Sequence, residues 1–224
     1  KLNQTVLLTG ASRGIGLALA KTLLARGYTV IGTSRSGVID SIQHENFHPL
    51  ALDITRIESI EESHKEIFDR FDQIDSIINN AGMGPDLDQL IPDAVSFNST
   101  FELNVKGVVL FTEPLLERIS DSGSVLMISS KMGSIEKCIA FDSVGYRVSK
   151  SALNMYTKIL ANRLPSIKIA AVHPGYVKTE ISETALLHGR LTPEQSAENI
   201  LSFMKSDFES GIFWDSETGS ELPW

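Results

Sequence analysis

The run Thr5-Val6-Leu7-Leu8-Thr9-Gly10-Ala11-Ser12-Arg13-Gly14-Ile15-Gly16, taken with the Leu19 and Leu23 that follow it, decides the fold. Residues 5–9 are a short apolar stretch of strand character, and glycines interrupt it at once. Beyond the interruption Ile15, Leu19 and Leu23 recur at helical spacing, with Arg26 in the last turn and Gly27 as a C-cap. A strand that turns through glycines into a helix N-terminus is a cradle for phosphate. Its backbone can approach a pyrophosphate closely, and the first helical turn offers free N–H groups and a partial positive charge. The spacing is G-x3-G-x-G, not the G-x-G-x-x-G of the common dinucleotide fingerprint. Its place between a strand and an amphipathic helix favours binding over a merely tight turn.

Outward from that unit, strand-like and helix-like segments alternate over short connections, which predicts an α/β fold around a parallel sheet. Further strands are expected at residues 28–34, 49–52, 75–79, 124–129 and 168–173, with 211–214 as a final edge strand. Thr55-Arg56-Ile57-Glu58 has capping-box spacing and should open a charged helix to about residue 71. A long helix is expected over 96–119, bent or ended near Pro114. Another carries Tyr146 and Lys150 and stops before Pro165, and Thr192-Pro193 should cap a last one running to about Lys205. No repeat, low-complexity tract or linker divides the 224 residues, so one domain over 1–224 is expected.

Composition narrows the function. The formal charge of −8 and the lack of a basic stripe argue against nucleic acid. No apolar run reaches the roughly 20 residues that span a bilayer, and no secretory leader is visible, so no membrane partner is expected. Cys138 is the single cysteine, consistent with a reducing, cytoplasmic setting. The five histidines form no ligand motif, and no metal is expected.

Cofactor choice should be written at the end of the second strand. An acid there would bind a ribose 2′-hydroxyl, whereas arginine accommodates a 2′-phosphate. The strand ends Thr33-Ser34-Arg35 and Arg13 sits in the glycine loop, which favours NADP(H) over NAD(H). Asp53, followed by Ile54 at the end of the third strand, is placed to accept from an adenine amino group. Tyr146 and Lys150, four apart, project from one helix face into the same space. A neighbouring cation favours phenolate, and bringing a phenol from about 10 to about 7 takes roughly 4 kcal/mol. Such a pair is also common as a solvated surface contact, so its surroundings matter.

Those surroundings resemble a known family. Thr9 to Gly16, Asn79-Asn80-Ala81-Gly82, Asn104, Ser129-Ser130, Tyr146-x-x-x-Lys150 and Pro174-Gly175 occur in the order seen in short-chain dehydrogenases/reductases. The ending Glu221-Leu222-Pro223-Trp224 and the compact length look most like its small carbonyl-reductase, C-factor-like branch. The resemblance implies a single-domain Rossmann-type doubly wound parallel sheet with helices on both faces. It implies NADP(H)-dependent reduction of a ketone, aldehyde or quinone-like carbonyl, or oxidation of the matching alcohol. Tyr146 would then be the general acid, and Lys150 would lower its pKa and bind the nicotinamide ribose. A serine would polarise the substrate oxygen, and Asn104 would hold a water leading from Lys150 to solvent. Gly10, Ser12, Arg13, Gly14, Ile15 and Gly16 would cradle the phosphates, and Asn80, Ala81 and Gly82 would line the adenosine side. Pro174, Gly175, Val177 and Thr179 would close over the nicotinamide. Relatives pair through their two long helices, which implies a homodimer or homotetramer.

The interval from Ser130 to Tyr146 is longer than in many family members, so Ser129, Ser130 and Ser134 are rivals for the serine role. Ser130 is preferred because it closes the apolar strand Val125-Leu126-Met127-Ile128. Residues 180–191 are expected to form a short lid, and Met132, Ile135, Ile139, Phe141, Tyr176, Leu186 and Leu187 are candidates to line the substrate side. Other readings fit less well. A regulatory NADP(H) sensor on the same fold would keep the same residues. A nucleotide-sugar epimerase would need a longer C-terminal portion, and a serine hydrolase a G-x-S-x-G elbow.

Overall fold

The computed structural model describes residues 4–224, so the first three residues of the expected 1–224 domain lie outside the described residues. Val6, Leu7 and Leu8 of β1 (Thr5–Leu8) show how the molecule is layered. Successive side chains leave a strand on opposite faces. Val6 and Leu8 join Leu19 and Leu23 of α1 (Gly14–Ala25), while Leu7 points to the other side. With both faces buried, the strand is apolar throughout rather than alternating.

The chain continues through β2 (Thr29–Ser34), β3 (Phe47–Ala51), α2 (Ile57–Arg70) and β4 (Ile74–Asn79). α3 (Ala94–Phe101), a π-helical turn (Glu102–Gly107), α4 (Val108–Leu115) and a 3₁₀ turn (Leu116–Arg118) lead to β5 (Ile119–Ile128). Then come α5 (Val144–Arg163), β6 (Lys168–His173), α6 (Glu183–His188), α7 (Pro193–Met204), β7 (Ile212–Asp215) and β8 (Ser220–Glu221). One eight-stranded sheet has the order β3-β2-β1-β4-β5-β6-β7-β8. All its pairings are parallel except β7 with β8. One face is covered by α1 and α7, through Leu19, Leu23, Ile200 and Leu201. The other carries α2, α4 and α5, through Ile60, Ile67, Phe111, Leu153 and Leu160. This is the doubly wound arrangement that the resemblance implied.

Several local expectations change. The Thr55 capping box does not form. Thr55 gives its amide and its hydroxyl to Asp53 Oδ1, at 3.1 and 2.7 Å, and α2 starts after Arg56 without a side-chain cap. The long helix starts at Ala94, capped by Asp93, whose Oδ1 accepts from the Val95 and Ser96 amides. It is broken by the π-helical turn, and past Pro114 it tightens into the 3₁₀ turn. Strand β7 is not the edge, because β8 pairs beyond it through Trp214 with Glu221. At the other end of the chain order, Thr192 and Gln195 do form a reciprocal capping box with Pro193 at the start of α7.

Candidate active site

Strands β2 and β3 lie to one side of β1 and all later strands to the other, so chain direction in the sheet switches between β1 and β4. Loops leaving the C-terminal ends of those two strands diverge and leave a crevice. A cleft of about 800 Å³ occupies that place. Gly10, Ser12, Arg13, Gly14, Ile15 and Gly16 form one wall, and Asn80, Ala81 and Gly82 the other. Arg35 and Asp53-Ile54 close the end beyond β2 and β3. Gly16 could be nothing else: a Cβ there would stand 2.0 Å from the Gly10 carbonyl oxygen. Asn80 ties the walls together, its side-chain amide donating to the carbonyls of Thr9 and Gly10 at 3.0 and 3.2 Å. Thr9 Oγ1 in turn accepts the amides of Asn80 and Ala81, both at 3.0 Å. Thr55 holds the Asp53 carboxyl below its usual range, with Arg35 and Arg56 adding to the effect.

Four further groups gather behind the wall made by Gly82, Met83 and Gly84. Tyr146 and Lys150 stand one turn apart on the buried side of α5. Ser130 stands two residues beyond the end of β5, and its Oγ accepts the Met132 amide at 3.2 Å. Asn104 reaches them from the π-helical turn, whose extra residue per turn re-aims the side chain. Its Oδ1 accepts the Met83 amide at 2.9 Å, and its Nδ2 donates to Met83 O at 2.8 Å and Ser149 Oγ at 3.0 Å. Lys150 Nζ donates to the Ile128 carbonyl at 2.9 Å and lies 5.6 Å from the centre of the Tyr146 ring. Gly82 joins this group to the cleft, since a Cβ on it would stand 3.4 Å from Lys150 Nζ and 3.6 Å from Asn104 Oδ1.

The three rival serines separate cleanly. Ser129 Oγ donates to Asn154 Oδ1 at 2.6 Å and Ser134 Oγ to Pro223 O at 2.7 Å. Ser130 is the one whose side chain lies close enough to the Tyr146 phenol to pull its pKa down.

Electrostatics here differ from a simple phenol-beside-ammonium picture. Burial pushes the Tyr146 phenol up to about 12, with the neighbouring Ser130 side chain pulling the other way. Burial also brings Lys150 down to about 8. Desolvation penalises the charged form of each group and is the largest cause of both shifts.

Placement is less complete elsewhere. Of the residues expected over the nicotinamide, Thr179 lines the cleft. Pro174 instead offers its carbonyl to Ser196 Oγ at 2.7 Å, Gly175 turns the chain at φ +89°, and Val177 bridges to Leu191 beneath the lip. The expected short lid contains the helix α6. Leu186 lines the cleft, whereas Ile135, Ile139, Phe141 and Leu187 stand exposed and Tyr176 donates its hydroxyl to Thr184 O. Sequence reasoning missed Met83, Gly84, Pro85 and Lys178 in the cleft wall, while Glu180 and Ile181 there belong to the expected lid. They are loop residues without a motif of their own, brought there by the strands they follow. Among the described residues no group of His, Cys, Asp or Glu is arranged to hold a metal, and no helix is long and apolar enough to cross a membrane.

Comparison with known proteins agrees with this geometry. An uncharacterized oxidoreductase of Schizosaccharomyces pombe is 32% identical over 229 residues, covering 97% of this chain and 72% of that protein. The solved NADPH-bound carbonyl reductase from chicken fatty liver superposes with a TM-score of 0.87 at 27% identity, covering 100% of this chain and 96% of that one. A putative short-chain dehydrogenase/reductase from Burkholderia multivorans with bound NADP gives 0.85 at 26% identity, with 99% of both chains covered. The family model for short chain dehydrogenase matches residues 4–188. That match spans β1 through α6 and every group just described behind the cleft wall, and the chain belongs to the short-chain dehydrogenase family.

Proposed function

We propose that this protein is an NADP(H)-dependent oxidoreductase that reduces a ketone, aldehyde or quinone-like carbonyl, with Tyr146 as the proton donor. The observation that carries the reading is the burial of Ser130, Tyr146 and Lys150 together, with Lys150 and Tyr146 packed directly behind Gly82 and Gly84 in the wall of a cleft shaped for a dinucleotide. The cleft fits that cofactor on its own terms: a glycine cradle in which a Cβ on Gly16 would strike the Gly10 carbonyl, helix amides beyond it, and two arginines where a 2′-phosphate would fall. No carboxylate stands at the end of β2 to prefer a free ribose hydroxyl. Two of the similar solved structures are described as holding NADP or NADPH.

When bound, the nicotinamide supplies the hydride. Everything else falls to the chain. Gly10 to Gly16 and the start of α1 hold the phosphates, and Arg13 and Arg35 take the 2′-phosphate. Ser130 donates to the carbonyl oxygen as negative charge grows there. Tyr146, neutral at pH 7, gives its proton to that oxygen. Lys150, mostly protonated at pH 7, steadies the phenolate left behind. Making that phenolate a base near neutrality takes about 7 kcal/mol, five units at about 1.36 each, so the chain without its cofactor holds Tyr146 as the neutral phenol. Asn104, pinned by Met83, fixes the wall beside Lys150.

The same reading carries a homodimer or homotetramer through α4 and α5, whose outer sides leave Leu110, Val148, Met155 and Ile159 exposed. It also carries a cytoplasmic setting, where the exposed thiol of Cys138 stays reduced.

Purified protein offered diketones, quinones and aromatic aldehydes should oxidise NADPH. Tyr146→Phe should lower turnover at least ~100-fold, the scale of a lost general acid, and leave the NADPH dissociation constant within about twofold. Equal turnover in that variant removes Tyr146 from the role. Tight NADPH binding with no carbonyl reduced turns the reading toward a cofactor sensor.

A further inference from the structure

Asp86 lies in the loop after β4, outside every motif of the sequence, and its side chain is fully buried. Its carboxylate reaches the start of α5. Oδ2 accepts the Gly145 amide at 2.6 Å, and Oδ1 and Oδ2 accept the Tyr146 amide at 3.1 and 3.3 Å. These are first-turn amides, which have no partner within the helix. The residue at the N-cap, Ser143, gives them nothing, since it sits at φ +54° with no side-chain bond to the helix. Its hydroxyl instead accepts the Asp88 amide at 3.0 Å, and its own amide donates to Gln89 O at 2.8 Å. A carboxylate from a distant loop therefore caps the helix that carries both Tyr146 and Lys150. It also brings negative charge to the positive end of the helix dipole.

The residues just before Asp86 hold the same assembly from its other sides. Met83 clamps Asn104 through both its amide and its carbonyl. Gly84 passes so close to the Tyr146 ring that a Cβ there would stand 2.8 Å from Cδ2. One loop thus touches Asn104, the phenol ring and the backbone beneath it. We propose that Asp86 is a positioning residue, whose carboxylate fixes the first turn of α5 and so keeps Tyr146 and Lys150 in register with Ser130 and Asn104. The inference rests on Tyr146 being the proton donor. It goes beyond that reading in assigning the alignment to a residue that touches neither substrate nor cofactor.

The test uses Asp86→Asn, which keeps an oxygen for one of the two amides, and Asp86→Ala, which keeps none. With turnover counted per bound NADPH, kcat should fall about tenfold in D86N and about 100-fold in D86A, the scale of a roughly 1 Å misplacement. The NADPH dissociation constant and the carbonyl KM should stay within about threefold, because the cofactor wall is untouched. The order Asp above Asn above Ala is the conservative rescue that a cap predicts. Parental kcat in D86N overturns the proposal, and so does a loss of NADPH affinity in step with kcat, which would mark general support of the fold. Should D86A fail to fold, D86N decides alone. Amide exchange in D86N gives a readout that needs no turnover. Gly145 and Tyr146 should lose protection while Leu153 and Leu160 keep theirs, and unchanged exchange overturns the proposal even if the parent reduces no carbonyl.

Discussion

Lys150 holds an ammonium where water does not reach, and it titrates near 8 in the folded chain against 10.5 for the free side chain. Below about pH 8 the folded and unfolded chains both carry the proton, and the folded state bears a desolvation penalty on the order of 3 kcal/mol. Between about 8 and 10.5 the unfolded chain keeps a proton that the folded chain has released, so stability rises with pH across that window. Tyr146 acts the opposite way at higher pH. Its folded phenol holds the proton up to about 12 against an ordinary 10, so its contribution is complete below 10 and lost as pH climbs toward 12. Lys150→Met should therefore be more stable than the parent at pH 7, by at most about 3 kcal/mol, because the Ile128 carbonyl loses its donor. That advantage should shrink to nothing by about pH 10. Urea melts of both proteins at pH 7, 8, 9 and 10 check it, and parallel pH slopes would mean the ammonium is better solvated than its burial indicates. A charge kept at the expense of stability is what an active site, rather than a surface pair, requires.

At the scale of elements, the cleft lip couples the start of α1 to the segment between β6 and α6. Arg13, the N-cap residue of α1, is extended and contributes no cap bond; its guanidinium pairs with Glu180 at 3.0 Å instead. Both side chains are largely exposed, so the pair is worth no more than about 1 kcal/mol and a 2′-phosphate should displace Glu180. Glu180→Gln should therefore tighten NADPH by less than about fivefold and leave NADH unchanged. Arg35→Ala should weaken NADPH far more than NADH, and equal losses in a binding titration would remove the argument from the arginines. The glycine wall and the arginines were legible in the sequence because each lies on a local pattern, strand then turn then helix. The π-helical turn was not, because Asn104 is drawn inward by the Met83 peptide and no periodicity records that. The capping box at Thr55 was read wrongly for a similar reason: Asp53, two residues earlier, captures the hydroxyl. Asp86 meets α5 across 59 and 60 residues of chain, beyond the reach of any spacing rule. Ser130's place just past the apolar strand, by contrast, was legible from a simple argument about where that strand ends.

For the whole molecule, the helices over the sheet are not equally finished. Helix α5 buries Tyr146, Lys150, Leu153 and Leu160 against the sheet side. On its outer side Val148, Met155 and Ile159 are 46, 63 and 51% exposed, at helical spacings of seven and four. Leu110 on α4 stands 39% exposed, and Glu113 of α4 receives the Tyr156 hydroxyl at 3.1 Å and the Arg163 guanidinium at 2.7 Å. An apolar stripe with a polar, hydrogen-bonded margin suits a second copy of the same face, because a two-fold interface must complement itself. Pairing there would back α5 from outside while the sheet and the loop holding Asp86 support it from within, so assembly and turnover should be linked. Light scattering should show at least a dimer for the parent at about 50 µM. Met155→Glu combined with Ile159→Glu should give monomers, since burying two carboxylates against their copies is strongly unfavourable. Leu187→Glu, an equally exposed leucine on α6, should leave the mass unchanged. The monomeric variant should keep its NADPH affinity within about threefold yet lose kcat as the start of α5 loosens. A parent that runs as a monomer, or a double variant that keeps the parental mass, would mean that this stripe faces solvent.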